Sequence, residues 1–578
     1  MNIMFLVIGV AVIFFAAYRF YGSFLARKVF TLDDGKVTPA EKYEDGVDYV
    51  PTSAKFLMGQ HFSAIAGAGP ITGPIIAGIM FGWMPALLWI VLGAIFIGGV
   101  HDMGSIVSSL RHNALSITEV VRENISGRAW LLFLLFTWFA LVYVIVAFTD
   151  ITSSAFVGTV TLDNGEKVGG GAIATSSLLY LVLPLIMGLL LKTNRISLAW
   201  ATVIFLPLVG VSIWIGPYIP VNIEALFGIS AAAAQKSWNV FLLAYCFVAS
   251  LIPVWLLLQP RGHLGGYFMY ASLLTAALGL IFGGFKISYP AFIMPGGNSG
   301  AMFPLLFVTV ACGACSGFHA LVSSGTTSKQ IKKEGDSKTI GYGAMLLEAM
   351  VAAMALGCLM IISRDSALVK GSPNFIFASG IGRFVELAGI PAAFGISFGL
   401  MAFTTFVYDT LDVCTRLARY IMQELLGWKT PAGKVFAALV SIGLPLFLVT
   451  LRMTDAKGGD LPAWRVFWNI FGASNQLLAA LALFGISVWL FKTAERKWAW
   501  TVTFFPGIWM FVMSNWALLL LVRDSWKSKG ALAAGGDPVP IVALSLLLLS
   551  AALAAEVIYA MVKNFGRHAR IQPVKDGV

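Results

Sequence analysis

The residues able to do chemistry in this chain sit where charge is costly. Glu348 lies in Met345-Leu346-Leu347-Glu348-Ala349-Met350 and has no cation near it in sequence. His101 and Asp102 end one apolar stretch and Asp150 lies late in the next. Asp409 and Asp412 lie late in another, and Glu556 lies in the last. Ionisable groups inside an apolar span are expensive and mark proton relays, ion sites or substrate paths unless they are paired. A carboxyl in apolar surroundings is better suited to carrying a proton than a charge. Glu348 is therefore the first candidate for proton coupling, with His101 and Asp102 next and Asp409 and Asp412 after them. Asp412 and Arg416, four residues apart, also suit a structural ion pair. Glu556 reads as structural and Asp150 as interfacial. Cys312-x-x-Cys315 with His319 offers thiolate and imidazole to a soft metal. No fourth ligand accompanies them and cysteine is a common small buried residue, so no metal centre is expected and that trio remains the alternative.

These groups need elements to hold them, and two apolar stretches carry strong helix breakers. The first runs Ser63-Ala64-Ile65-Ala66-Gly67-Ala68-Gly69-Pro70-Ile71-Thr72-Gly73-Pro74. The second runs Ala311-Cys312-Gly313-Ala314-Cys315-Ser316-Gly317-Phe318-His319 and continues to Ser323-Ser324-Gly325-Thr326-Thr327. Glycine and proline at this density oppose a continuous helix. Irregular backbone at membrane depth survives only inside protein or beside water, so it points to a binding site. The competing explanation is close helix packing through small residues. On the first explanation, amides near Gly67, Ala68, Gly69 and Gly313 meet a substrate carboxylate. Thr72, Ser316 and His319 add side-chain hydrogen bonds.

Composition places both stretches in a membrane. The chain has 578 residues, 58% of them hydrophobic and 12% charged, against about 25% charged in soluble domains. Fifteen hydrophobic segments are legible, near 3–26, 62–81, 83–110, 129–157, 174–192, 196–217, 238–260, 267–286, 300–324, 340–364, 391–416, 432–451, 466–491, 498–522 and 538–563. Each approaches the roughly 20 residues that a span needs. The first lacks a basic start and contains Arg19, so it reads as a retained helix rather than a signal peptide. Lys and Arg favour one set of connections by better than two to one, which predicts an outside N-terminus and a cytoplasmic C-terminus. The breaks fall in the second and ninth segments, which cross in opposite directions, as in an inverted-repeat transporter. The basic residues are scattered among short loops, so nucleic acid is not an expected partner. No nucleophile motif, phosphate loop or H-E-x-x-H motif is found, so an enzyme is not expected.

The long motifs carry a family resemblance. They are Gly59-Gln60-His61-Phe62 leading into the first break, Gly99-Val100-His101-Asp102, and Cys315 through Gln330. Asp409-Thr410-Leu411-Asp412-Val413-Cys414-Thr415-Arg416 and Phe471-Gly472-Ala473-Ser474-Asn475-Gln476-Leu477-Leu478-Ala479 complete the set. With these the chain resembles the carbon starvation protein A family of bacterial transporters. The resemblance implies uptake of pyruvate or of short peptides. It also implies kinship with the amino acid–polyamine–organocation superfamily and its LeuT-like five-plus-five inverted repeat. The expected fold is thus all-α and polytopic, one domain over 1–578. Repeat one spans about 62–217 and repeat two about 300–491, with peripheral helices at 3–26, 238–286 and 498–563. The superfamily resemblance also suggests a sodium site, for which Ala66 and Gly69 carbonyls with Thr404 and Thr405 hydroxyls could serve. The expected function is cation-coupled import of a small carboxylate such as pyruvate by alternating access, with proton or sodium as coupling ion and no cofactor. Peptide uptake is the alternative, and a channel or nutrient receptor the remoter one. The expected partners are the small-molecule substrate and membrane lipid, with a regulatory protein left open. The expected location is the bacterial inner membrane.

Overall fold

The computed structural model describes residues 2–570 except 47–48, 162–166, 254, 294–301, 429, 454–460 and 530–537. The acidic residue Asp48 and the last basic residue, Lys575, lie outside the described residues. Thirteen helices are long and apolar enough to cross a membrane, or fourteen if the bent pair Ala54–Ile65 and Gly69–Phe81 is one span. The seventh expected segment, 238–260, corresponds to the helix Ala231–Leu251, which carries Gln235, Lys236 and Asn239 and is not among them.

The longer helices, numbered in chain order, begin with α1 (Ile3–Arg19), α2 (Ala54–Ile65), α3 (Gly69–Phe81) and α4 (Trp83–Arg111). They continue as α5 (Gly127–Ser154), α6 (Gly170–Lys192), α7 (Leu198–Ile215), α8 (Ala231–Leu251) and α9 (Leu258–Phe282). The second broken segment is α10 (Met302–Val310) and the short α11 (Phe318–Val322). Then come α12 (Ala344–Met360), α13 (Pro373–Glu386), α14 (Ala392–Leu426), α15 (Pro431–Thr450), α16 (Ala463–Thr493), α17 (Thr501–Lys529) and α18 (Val539–Arg570). A small hairpin pairs β1 (Thr159–Thr161) with β2 (Lys167–Gly169). The helix α13 falls in a stretch the hydrophobic pattern leaves as a loop, because 14 residues are too few to cross. It packs along α14 and α9.

Both breaks occur where the sequence places them. The chain leaves α2 at Ala66, turns through Gly67 and re-enters a helix at Gly69, bent by 48°. Pro70 falls in the first turn of α3, where a missing N–H costs nothing. The second span leaves α10 through a 3-10 turn at Ala311–Gly313, is irregular at 314–317 and resumes at Phe318. The two central elements, α16 and the span 302–327, are each 94% buried. The peripheral spans 3–29, 198–218 and 539–563 are only 28% buried, and their outward apolar side chains suit lipid.

One face gathers the basic loops. Arg111 Nε donates to Glu334 Oε1 at 2.8 Å, and the Asp33 amide donates to Glu334 Oε2 at 2.8 Å. The connection after α1 and the connection after α11 are therefore clamped together on the same side.

Candidate functional site

The two breaks are packed on each other. A Cβ at Gly69 would lie 2.5 Å from the Cys312 side chain, and one at Gly73 would lie 2.6 Å from the Thr309 and Val310 carbonyl oxygens. A Cβ at Gly313 would meet Ala352 at 2.8 Å. Glycine at these places permits backbone contact, which is the packing role. Gly67, Ala68, Gly69, Thr72, Gly313, Ser316 and His319 are all buried, so the expected open cradle of amides is closed in this conformation. The amides after the second break are occupied as well. Phe318 N donates to Asn475 Oδ1 at 3.0 Å, and Gly317 N donates to the Asn475 carbonyl at 3.1 Å. Asn475 Nδ2 also donates to Ser316 Oγ at 3.0 Å and approaches Cys312 Sγ at 3.3 Å. Cys312 is thus taken up by Gly69 and Asn475 rather than joined to His319, and the Cys312, Cys315, His319 trio is not assembled.

His319 instead belongs to a buried relay. His101 Nδ1 and His319 Nδ1 each donate to one oxygen of Asp102, at 2.7 and 2.8 Å. His319 Nε2 lies 3.2 Å from Glu348 Oε2. All four side chains are 0% exposed. Among the described residues His101 Nε2, His319 Nε2 and both Glu348 oxygens have no aligned hydrogen-bond partner. The sequence singled out each member but assigned His319 to substrate. The helical turn after the break points it at α4 and α12 instead. If His319 donates only from Nδ1, Glu348 must hold a proton to satisfy Nε2. If His319 is doubly protonated, Glu348 is an anion. The pair can therefore carry one proton on either side.

A second cluster surrounds a cation that the hydrophobic pattern misses. Arg261 is 0% exposed. Its Nε donates to Asp409 Oδ1 at 2.7 Å and its Nη2 to Asp412 Oδ2 at 2.5 Å. Nη2 also donates to the Tyr408 carbonyl at 2.9 Å and Nη1 to the Tyr245 hydroxyl. Tyr245 in turn donates to Asp412 Oδ2 at 2.9 Å, and Ser63 Oγ donates to Asp409 Oδ2 at 2.9 Å. A Cβ at Gly265 would strike Asp409 at 2.5 Å, so that glycine makes room for the carboxylate. The expected Asp412–Arg416 pair does not form. Arg416 turns away and donates to the Ala249 and Ile252 carbonyls at 2.6 and 2.8 Å, satisfying the C-terminus of α8. Arg261 fell between two segments because Leu258-Gln259-Pro260-Arg261-Gly262-His263 is a polar run. Pro260 at the start of a helix was the available signal.

The remaining intramembrane acids bond between helices. Asp150 is buried within the protein near the end of α5. It accepts from Asn239 Nδ2 at 2.8 Å and from the Trp464 amide at 2.8 Å, fixing α8 and the N-terminus of α16. Glu556 accepts from Ser126 Oγ at 2.8 Å. Thr404 bonds the Met401 carbonyl at 3.0 Å and contacts Ser177 Oγ at 3.3 Å. The residue of α14 that meets Gly67 is Thr410, more than a turn beyond Thr404 and Thr405. Thr405 Oγ1 is buried without a hydrogen-bond partner among the described residues.

A cavity of about 790 Å³ opens among the basic loops, lined by Thr52, Ser116, Lys192, Lys329, Arg416 and Glu424 among others. A deeper cavity of about 140 Å³ shares Gln60, Gln259, Thr326, Gln330 and Val413 with it. That inner part is floored by His61, Ser63, Arg261, Thr327 and Asp409. His61 Nδ1 lies 2.8 Å from Thr327 Oγ1, while its Nε2 is buried without a partner among the described residues. Ser63 and Ala64 line the inner cavity and lie just before the first break, and Thr326 and Thr327 reach it from beyond the second. The cavity thus ends short of both breaks.

A family model described as carbon starvation protein CstA matches residues 2–369 and 359–517. The peptide transporter CstA of Bacillus subtilis (strain 168) is 31% identical, over 98% of this chain and 98% of that one. The peptide transporter CstA of Escherichia coli (strain K12) is 30% identical over 88% of this chain and 80% of that one. The pyruvate/proton symporter BtsT of the same organism is 30% identical over 89% of this chain and 81% of that one. Among solved structures, the Eremococcus coleocola manganese transporter in complex with an aromatic bis-isothiourea compound is 14% identical. It covers 90% of this chain and 98% of that one, with a TM-score of 0.47.

Proposed function

The chain belongs to the carbon starvation protein CstA family, and from that premise we propose that it is a proton-coupled importer of a small carboxylate such as pyruvate. The single observation that carries this reading is the cavity open to one face, floored by buried charge and stopped by two packed helix breaks. A path open on one side and sealed beyond a polar floor suits alternating access, whereas a channel needs a pore through both faces. The sealed breaks are then the gate. Their parting in the opposite state would expose the amides at Gly67, Ala68, Gly69 and Gly313 and the side chains of Thr72 and Ser316. We take the basic face as cytoplasmic, which makes this the inward-open state and puts the C-terminus in the cytoplasm of a bacterial inner-membrane protein. The breaks in α2–α3 and α10–α11 would be the related first helices of two inverted repeats.

The proton rather than sodium is favoured by the relay, because His319 Nε2 and Glu348 Oε2 lie 3.2 Å apart and can share a proton. One relative is named a pyruvate/proton symporter. Others at nearly the same identity are named peptide transporters, so peptide uptake is the second reading. A cavity of about 790 Å³ leaves room for a short peptide, and Asp409 in the adjoining cavity of about 140 Å³ could meet an amino terminus. The test is uptake of labelled pyruvate and labelled dialanine into proteoliposomes with a pH or a sodium gradient imposed alone. Pyruvate accumulation under the pH gradient, lost in Glu348→Gln, is the expected result. Accumulation driven by sodium at constant pH, or no uptake of pyruvate, would overturn the reading.

A further inference from the structure

The cavity floor presents an electrostatic difficulty for an anion. Arg261 is the cation there, and it already faces two carboxylates, Asp409 and Asp412. One fixed positive charge against two ionised aspartates leaves the floor negative, and a third carboxylate would be repelled. The two aspartates are not equivalent. Asp412 is 0% exposed and is held by Arg261 and Tyr245, away from the cavity lining. Asp409 lines the inner cavity, is 5% exposed and is held by Arg261 and Ser63.

We propose that Arg261 is the anchor for the substrate carboxylate and that Asp409 is its resting counter-ion, displaced from Arg261 and protonated as the carboxylate binds. The proposal rests on the import reading and adds a proton site distinct from Glu348. The proton is taken from the bulk solution, from hydronium or the acid form of the buffer, through the cavity. It sits on the Asp409 oxygen that releases Arg261 Nε and returns to solution when the carboxylate leaves. Arg suits the task because its planar fork binds a carboxylate through two N–H groups and does not lose its own proton. The ligand class is a free carboxylate, whether of an α-keto acid or of a peptide C-terminus. Tyr180, Tyr245, Cys246, Tyr408 and Asp412 also face Arg261. Of the other side chains lining the inner cavity, His61 is the one whose ring nitrogen offers a rival site for the proton.

The experiment measures binding to the purified full chain in detergent, with proton uptake followed in lightly buffered solution. Probes are pyruvate, dialanine and dialanine amide. The wild type should take up one proton per carboxylate bound, bind more tightly as pH falls, and discriminate against the amide. Asp409→Asn, which mimics the protonated side chain, should bind at least as tightly as the wild type at acid pH. It should show no proton uptake and no pH slope. Glu348→Gln should keep the binding-linked proton, so its loss of gradient-driven uptake would be a separate result. If Asp409→Asn does not fold, Asp409→Glu should keep the proton uptake with a displaced midpoint. The proposal fails if Asp409→Asn keeps the pH slope, if His61→Gln alone abolishes the proton uptake, or if the amide binds like dialanine. Wild type that binds neither pyruvate nor dialanine would remove the import reading and this inference together.

Discussion

Two buried charged clusters share this membrane interior and are built on opposite terms. Around Arg261 the cation is permanent, and the carboxylates, a tyrosine and a backbone carbonyl close on it. Around His319 there is no permanent cation among the described residues, and several polar atoms lie within reach of one another without an aligned partner. The first cluster fixes a geometry and a charge count. The second leaves open which atom holds the proton. A cluster of the first kind suits recognition of a charged group, and one of the second kind suits moving a proton with little change in structure. Access differs in the same sense, since Arg261 and Asp409 line the cavity while His319 and Glu348 do not.

The largest effect is expected where the permanent charge is removed. Arg261→Ala would strand two buried carboxylates, and breaking a buried pair from one side costs about 3–5 kcal/mol. Thermal unfolding in detergent should drop steeply and uptake should vanish. Arg261→Lys should recover folding in part, because it keeps the charge but loses the planar fork. Equal stability in wild type and Arg261→Ala would show that the cluster is not the closed unit described.

The next effect separates transport from stability. Glu348→Gln keeps shape and removes a proton site, leaving His319 tied to Asp102. Unfolding should move little, while accumulation of pyruvate under a pH gradient should fall to background and exchange at equal pH should persist. His101→Phe comes third. It removes one of the two donors to Asp102, which costs about 1–3 kcal/mol for a buried acceptor left short. Uptake should weaken without losing its dependence on the pH gradient, measured by initial rates at several imposed gradients.

What the sequence made legible follows from how far each signal reaches. The breaks at Ala66–Ala68 and Ala311–Gly317 were plain because glycine and proline act on their own backbone. Glu348, His101, Asp102, Asp409 and Asp412 stood out because each charge contradicts its apolar neighbours. Their partners were not legible, because His319 meets Asp102 and Glu348 across 217 residues in one case and between separate helices in both. Arg261 was missed for the complementary reason. Its neighbours are polar, so nothing local marked it as buried, and only the fold, which brings it to Asp409 across a sequence separation of 148, reveals the pair. The near choice, Arg416, was four residues from Asp412 yet serves the carbonyls ending α8. The helix α13 was missed because its 14 residues resemble a loop to any test based on span length.

The smallest effect tests whether the two clusters are independent. The Tyr245 hydroxyl accepts from Arg261 Nη1 and donates to Asp412 Oδ2. Tyr245→Phe removes both bonds but leaves Arg261 its contacts with Asp409, Asp412 and the Tyr408 carbonyl. The cost should therefore not exceed about 1.5–3 kcal/mol, the range for a hydrogen bond to a charged group. Loosening Arg261 should change the apparent affinity for pyruvate by a few fold, through the anchor rather than through the proton. The response to the pH gradient should stay as in the wild type, because Glu348 and His319 are untouched. Tyr245→Phe combined with His101→Phe then decides the matter. Sites with no shared partner add to within about 0.5 kcal/mol, and these two share none among the hydrogen bonds described. Additive losses in unfolding free energy would leave recognition and proton handling as separate devices. A coupling well above that figure would mean that the floor of the cavity and the relay behind it move as one body, and the contrast between them would have to be given up.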